Sequence, residues 1–353
     1  MATGELGQCP QCAAPVRPAD SFCEACGCEL GVAAVSTGGP VAADCRGCGS
    51  SQFSEDGYCE QCGRKAGSGR DHVEFDLGML AGVTDRGLRH ERNEDAMALS
   101  VIQLPDGTAA LAVVCDGVST SDRPDEASLA AADRAVRVLG RELRAGLGEE
   151  AALLAAATAA GAAVSKLAGP SGNAPAATYV SAVVTRSAVV LCWVGDSRAY
   201  WLPADPGSEP RLLTRDDSVG TALIASGLAT EAEALASPHG HVVTRWLGAD
   251  ADSDQANTAR FEPAKRGVVL LCSDGLWNYQ PEATGLAQLA MPKAMTDPPG
   301  AAADLLAYAL QAGGHDNITI AVIPFPPQDR GAADGDHAAA GRPASPPSPS
   351  QST

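Results

Sequence analysis

The chain has 353 residues, 45% of them apolar, and a formal charge of −18 at neutral pH. That length accommodates one large globular domain plus small modules, and the negative charge argues against nucleic acid as a partner of the whole chain. No apolar run reaches the roughly eighteen residues of a membrane span. The N-terminus, Met-Ala-Thr-Gly-Glu-Leu-Gly, lacks the basic and apolar parts of a secretion signal, so a cytoplasmic location without membrane attachment is expected.

The first segments are defined by cysteine. Cys9-x-x-Cys12, ten residues and Cys23-x-x-Cys26 are followed by Cys45-x-x-Cys48, ten residues and Cys59-x-x-Cys62, each position offset by 36. Two Cys-x-x-Cys knuckles bring four thiolates onto one tetrahedral ion in a closed structural site. Few bulky apolar residues surround either set, so metal must supply most of the folding free energy. Disulfides suit exported chains, and iron also accepts four thiolates; the short spacer favours two structural Zn²⁺ ions. The expected organisation is a zinc ribbon at 1–30, a linker at 31–44, a second ribbon at 45–66 and a linker at 67–75. Through Arg70 there are eight acids and five bases, so these modules suit contact with a protein partner or regulation rather than DNA.

From 76 to 325 strand-like and helix-like segments interleave. Leu111–Cys115, Tyr179–Thr185, Val189–Val194, Val268–Cys272 and Ile318–Ile323 are apolar and mostly β-branched, and predict buried strands. Asp125–Arg144, Glu149–Leu167 and Ala301–Ala312 are rich in Ala and Leu and predict helices. The final segment, 326–353, is rich in Pro, Ser, Gly and Ala and is expected to be disordered.

Four acidic motifs border these apolar runs: Asn93-Glu94-Asp95, Cys115-Asp116-Gly117, Ser273-Asp274-Gly275 and His315-Asp316-Asn317. Carboxylates delivered from several strand ends suit hard cations such as Mg²⁺ or Mn²⁺. Two such ions can activate water and clamp a phosphate for in-line attack.

With Thr84-Asp85-Arg86-Gly87, Gly195-Asp196-Ser197-Arg198, Leu213-Thr214-Arg215-Asp216 and Gly275-Leu276-Trp277, these motifs run in a fixed order from about Gly78 to Phe325. In that order the chain resembles the metal-dependent protein serine/threonine phosphatases of the 2C (PPM) type, preceded by a double zinc ribbon. The resemblance implies an α+β fold, a four-layer αββα sandwich, with a binuclear Mn²⁺ or Mg²⁺ centre at one end. It implies Asp116 bridging the ions, the Gly117 carbonyl on one of them, Asp95, Asp274 and Asp316 on the other, and Glu94 acting through water. Asp116, Asp274 and Asp316 are the expected catalytic residues. Asp196 is read as a structural turn, with Arg198 pairing a nearby carboxylate.

The chain departs from the family pattern in three places. Where relatives carry an arginine that grips the substrate phosphate, four positions before the Glu of the Glu-Asp pair, this chain has His90, between Arg89 and Arg92. All three are candidates, Arg89 narrowly preferred, and a histidine there would make phosphate binding sensitive to pH near neutrality. Val118-Ser119-Thr120-Ser121 lacks the histidine acid of some relatives, leaving water to protonate the departing oxygen. Asn173 aligns with the aspartate that some bacterial relatives use for a third ion, which speaks against one. The expected activity is hydrolysis of phosphoserine and phosphothreonine on proteins, opposing a Ser/Thr kinase, with Asp217 to Arg245 as the segment that selects substrate. The alternative is a pseudophosphatase or zinc-ribbon scaffold that binds a partner without turnover.

Overall fold

The computed structural model describes residues 68–327 except 171–172, 231–232, 235–236, 238 and 252–254. Before them it describes 7–8, 14–16, 24–26, 33–37, 45, 48–54 and 56–63. The tail from 328 onward, expected to be disordered, lies outside the described residues, as do Cys9, Cys12 and Cys23 of the first thiolate quartet.

Strands β1 (Gly7–Gln8) and β2 (Pro15–Val16) form a small hairpin. Strands β3 (Ala33–Val35), β4 (His72–Asp76), β5 (Ala81–Asp85), β6 (Ala96–Leu104) and β7 (Gly107–Cys115) lead into helices α1 (Pro124–Arg144) and α2 (Glu149–Ser165). Then come β8 (Ala176–Ala177), β9 (Tyr179–Val184), β10 (Val189–Val194), β11 (Arg198–Pro203), β12 (Arg211–Leu212) and helix α3 (Val219–Ala225). The chain continues through β13 (Leu247–Gly248), β14 (Asn257–Phe261), β15 (Gly267–Cys272), α4 (Asp274–Trp277), α5 (Ala283–Ala294), α6 (Pro298–Ala312) and β16 (Ile318–Phe325). Two six-stranded antiparallel sheets result, ordered β14-β10-β9-β7-β6-β3 and β12-β11-β15-β16-β5-β4.

Strand periodicity builds three apolar layers from these two sheets. Along β7, Leu111, Val113 and Cys115 point to α1 and α2, while Ala110, Ala112 and Val114 point between the sheets. Along β15, Val268, Leu270 and Cys272 pack with α5 and α6, while Val269 and Leu271 meet the first sheet. A strand buried on both faces reads as a continuous apolar run because both sets of alternate side chains are covered. The architecture is therefore the expected αββα sandwich. Helices α1 and α2 pack through alanines (Ala127, Ala131, Ala135, Ala152, Ala156, Ala160), which allow close approach to the sheet.

Short stretches within two segments read as linkers belong to the sandwich. Ala33–Val35 is the edge strand β3, pairing with Ala98–Ser100, and the buried Ser36 accepts from the Met97 N–H through its Oγ at 2.9 Å. His72–Asp76 is β4, paired along its full length with β5. Both are edge strands. Half their surface meets solvent, so their composition is polar or small and resembles that of a linker.

Candidate active site

The antiparallel register delivers the acidic motifs to one end of the sandwich. In the first sheet Ala96 pairs with Cys115, so Asp95 just before β6 and Asp116 just after β7 emerge side by side. In the second sheet Cys272 pairs with Ile320, which sets Asp274 beside Asp316 and Asn317. A pair of adjacent antiparallel strands from each sheet thus contributes one pair of carboxylates. The Gly195-Asp196-Ser197 turn, where the chain crosses from β10 to β11, adds a fifth at the same end.

Hydrogen bonds lock the strand ends together. Asp95 Oδ2 accepts from Ser273 Oγ and Thr319 Oγ1, each at 2.7 Å. Asn317 Oδ1 accepts from the Glu94 N–H at 2.7 Å, and its Nδ2 donates to the carbonyls of Arg86 and Arg92. Asn93 Nδ2 donates to Thr84 Oγ1 at 2.8 Å, and Thr84 shares a 2.7 Å hydroxyl contact with Thr319. Glu94 Oε2 accepts from Ser119 Oγ at 2.7 Å. Ser273, Asn317, Thr319 and Thr84 orient the acids although none was a candidate from sequence; three lie inside the motifs and Thr319 two positions beyond one, which was the available signal. Gly117 is required sterically: a Cβ there would lie 2.5 Å from the Pro124 carbonyl oxygen and 2.7 Å from that of Glu94.

The acids crowd one another. Burial, set against hydrogen bonds from Ser273 and Thr319, raises Asp95 to about 7. Burial, then Asp95, Asp274, Asp316 and Asp196, pushes Asp116 well above the usual carboxylate range. Asp274 is raised likewise by burial and then by Asp316, Asp196 and Asp95. Asp316 is the exception. Burial opposes its ionisation, but His90 and the Asn317 N–H hold it below the ordinary value. Two buried oxygens, Asp95 Oδ1 and Asp274 Oδ1, have no hydrogen-bond partner. Buried acceptors without donors are costly, and several carboxylates with shared repulsion and vacant lone pairs fit divalent cations.

Asp196 adds to the sequence reading. It does occupy a turn, but its buried carboxylate, raised by burial and by Asp216 to about 7, also raises Asp116 and Asp274. It belongs to the acidic basin. It carries the same signature as the others, an aspartate at the end of an apolar strand.

The three phosphate candidates separate in space. Arg89 is exposed. His90 Nε2 lies 3.1 Å from Asp316 Oδ1 and so faces the acidic basin. Arg92 donates from Nε to Glu94 Oε1 at 3.0 Å and places Nη1 3.6 Å from Asp125 Oδ1, with its side chain 53% exposed. Asn173 donates from Nδ2 to the Thr120 carbonyl at 2.5 Å. The segment expected to select substrate carries α3 and borders a cavity of about 340 Å³ lined by Arg198, Arg215, Asp216, Ser218, Thr221 and His241.

The raised acids predict how the metal-free protein responds to pH. Asp95 and Asp196, near 7 when folded against 3.8 for an ordinary aspartate, retain protons that the unfolded chain releases. Stability gained this way is complete below about 3.8 and lost as pH rises towards 7. Asp316 has the opposite sign, but its transition lies below 3.8 and outside this window. Calorimetry in EDTA is expected to show Tm falling by about 5 °C or more between pH 5 and 7.5. Saturating Mn²⁺ should flatten that slope, and equal slopes with and without Mn²⁺ would contradict the account.

In the second N-terminal module the Sγ atoms of Cys45, Cys48, Cys59 and Cys62 all lie within 4.8 Å of one another. Cys45–Cys62 and Cys48–Cys59 approach to 3.5 Å. Tetrahedral zinc with bonds of about 2.3 Å requires sulfurs about 3.8 Å apart, so the quartet has the size of such a site. Gly49 and Gly63, at φ +73° and +70°, close the two knuckles through N–H bonds to the Cys45 and Cys59 carbonyls. Of the first quartet only Cys26 is described, and it is exposed.

Comparison with known proteins agrees with this geometry. Residues 86–296 match the family described as Protein phosphatase 2C, and the chain belongs to that family. It is similar to the serine/threonine phosphatase stp of Listeria innocua, 32% identical over 152 residues, covering 43% of this chain and 57% of that protein. Against the serine/threonine protein phosphatase PstP of Mycobacterium tuberculosis it is 28% identical over 263 residues, covering 71% of this chain and 46% of that protein. The chain thus spans about half the length of these relatives. The catalytic domain of PstP, solved in complex with two manganese ions, superposes with a TM-score of 0.55 at 25% identity, covering 70% of this chain and 97% of that one. Among the described residues no helix is long and apolar enough to cross a membrane.

Proposed function

We propose that the protein removes phosphate from phosphoserine and phosphothreonine side chains of proteins, opposing a Ser/Thr kinase in the cytoplasm. The observation that carries this is the pair of donorless buried oxygens, Asp95 Oδ1 and Asp274 Oδ1, in a basin of mutually repelling carboxylates. Asp116, the Gly117 carbonyl, Asp95, Asp274 and Asp316 would hold two Mn²⁺ or Mg²⁺ ions, with Glu94 assisting and Asp196 extending the basin. When bound, such ions acidify water and neutralise charge building on the phosphoryl oxygens. The protein's own part is to place these groups before substrate arrives.

Arg92 is the best-placed group to bind the phosphate. It is solvent-facing, and Glu94 and Asp125 hold its guanidinium, which suits a planar two-point contact with phosphoryl oxygens. His90 faces Asp316 and would act through that carboxylate. With no histidine acid in the Val118–Ser121 loop, the departing seryl or threonyl oxygen takes its proton from water. The cavity beside α3 would receive residues flanking the phosphoamino acid. Cys45, Cys48, Cys59 and Cys62 would hold one structural Zn²⁺, and Cys9, Cys12, Cys23 and Cys26 a second, in modules that contact a protein partner.

Turnover of p-nitrophenyl phosphate and of a phosphothreonine peptide should require Mn²⁺ or Mg²⁺ and stop in EDTA. Metal analysis of the purified protein should find about two zinc per chain after mild chelation. Turnover that persists in EDTA would overturn the catalytic assignment.

A further inference from the structure

The stretch Ser68–Asp71 begins six positions after Cys62 and ends where β4 starts, ahead of the residues matched to the family. It runs against the catalytic centre. Arg70 Nη1 donates to the Asp125 carbonyl at 3.0 Å, and Nη2 donates to the Asp95 carbonyl at 3.3 Å. The Arg70 carbonyl accepts from Asn93 Nδ2 at 3.1 Å. Ser68 Oγ donates to Asp71 Oδ1 at 2.6 Å, and the Asp71 carbonyl accepts from the Arg86 N–H at 2.8 Å. The stretch is thereby stitched to β5, to the strand end carrying Asp95 and to the first turn of α1.

Asp125 connects this stitch to the phosphate side. Its Oδ2 lies 3.8 Å from Arg70 Nη1 and its Oδ1 3.6 Å from Arg92 Nη1. Two guanidiniums therefore share one carboxylate from opposite sides. Arg70 is the covered one, its side chain 17% exposed; Arg92 is the open one. A covered arginine whose fork spans two carbonyls fixes the carboxylate beside it, and a fixed carboxylate limits the orientations of an exposed arginine.

We propose that Arg70 is a positioning residue for phosphate binding: by fixing Asp125 it holds Arg92 in the orientation that meets the phosphoryl group. This rests on the phosphatase reading and on Arg92 as its phosphate contact. The chain lacks an arginine at the position occupied by His90, and the segment leaving the thiolate module compensates by bracing a different arginine.

The test is a double-mutant cycle on the full chain at saturating Mn²⁺, reading inorganic phosphate affinity by calorimetry and KM and kcat for p-nitrophenyl phosphate. Arg70→Ala and Arg92→Ala should each weaken phosphate binding about tenfold, the size of one oriented charged hydrogen bond, with KM moving more than kcat. The double variant should be no weaker than Arg92→Ala alone, because Arg70 acts through Arg92. Arg70→Lys, which keeps the charge and loses the fork, serves if the alanine variant folds poorly, and should show the same coupling. Additive losses, or a lowered Tm with phosphate affinity and KM unchanged, would reduce Arg70 to a structural stitch and overturn the proposal. A wild-type protein that binds phosphate and turns nothing over would sink the phosphatase reading and leave the cycle measurable.

Discussion

Asp274→Asn is expected to lower Mn²⁺-dependent turnover of p-nitrophenyl phosphate at least about a hundredfold while stabilising the metal-free protein. The two effects share one cause. Asp274 carries a buried oxygen without a donor and repels Asp316, Asp196 and Asp95. Asparagine avoids the cost of burying that carboxylate among its neighbours, paid as repulsion or as a bound proton, and removes the anionic ligand proposed above. The Asn278 Nδ2 contact at 3.1 Å reaches the other oxygen, Oδ2, so the side chain keeps an anchor. Melting curves in EDTA should show Tm above wild type, and Mn²⁺ should no longer raise it. Asp205→Asn, at an exposed aspartate paired with Lys265 between β11 and β12, is the control and should change neither quantity. Wild-type turnover by Asp274→Asn would place the reaction elsewhere.

The second large effect concerns stability. Asp216→Ala should destabilise the domain by about 3–5 kcal/mol, the cost of leaving one member of a buried pair unpaired. Arg198 and Asp216 side chains are each 10% exposed and joined by two near-parallel bonds, Nη2 to Oδ2 at 2.7 Å and Nε to Oδ1 at 3.0 Å. The guanidinium also lies 3.7 Å above the Trp277 ring and donates to Tyr200 Oη at 3.3 Å. Without Asp216 that cation stays in a layer of aromatic and apolar groups. Urea titration gives the loss directly, and a value below about 1 kcal/mol would show that solvent reaches Arg198. The pair also lines the cavity beside α3, so peptide turnover should suffer more than p-nitrophenyl phosphate turnover.

Much of the site was legible because its chemistry is local. Asp95, Asp116, Asp274 and Asp316 each adjoin an apolar run, and a strand ending on a carboxylate can be read without knowing its neighbours. Strands β7, β9, β10, β15 and β16 were readable for a related reason: burial on both faces makes their apolar runs continuous. Arg198 was expected to pair a carboxylate, and Asp216 is that partner. Edge strands β3 and β4 were read as linkers because one side of each meets solvent. Asp196 was read only as a turn because a one-dimensional pattern does not show that the turn lies beside the other acids. The N-terminal spacing implied four-thiolate sites, and the second quartet has the dimensions for one.

Residue identity and spacing by themselves determined the buried strands, the acidic residues at their ends and the spacing of the thiolate quartets, since these depend on periodicity and side-chain chemistry carried within short segments; the αββα class followed from the resemblance that the ordered motifs carry. Only tertiary structure decided which acids share a basin, which basic groups open to solvent beside it, and that Arg70 lies behind it. Those are relations between groups far apart in the chain, set by antiparallel register and by the meeting of two sheets, and a linear pattern carries no distances.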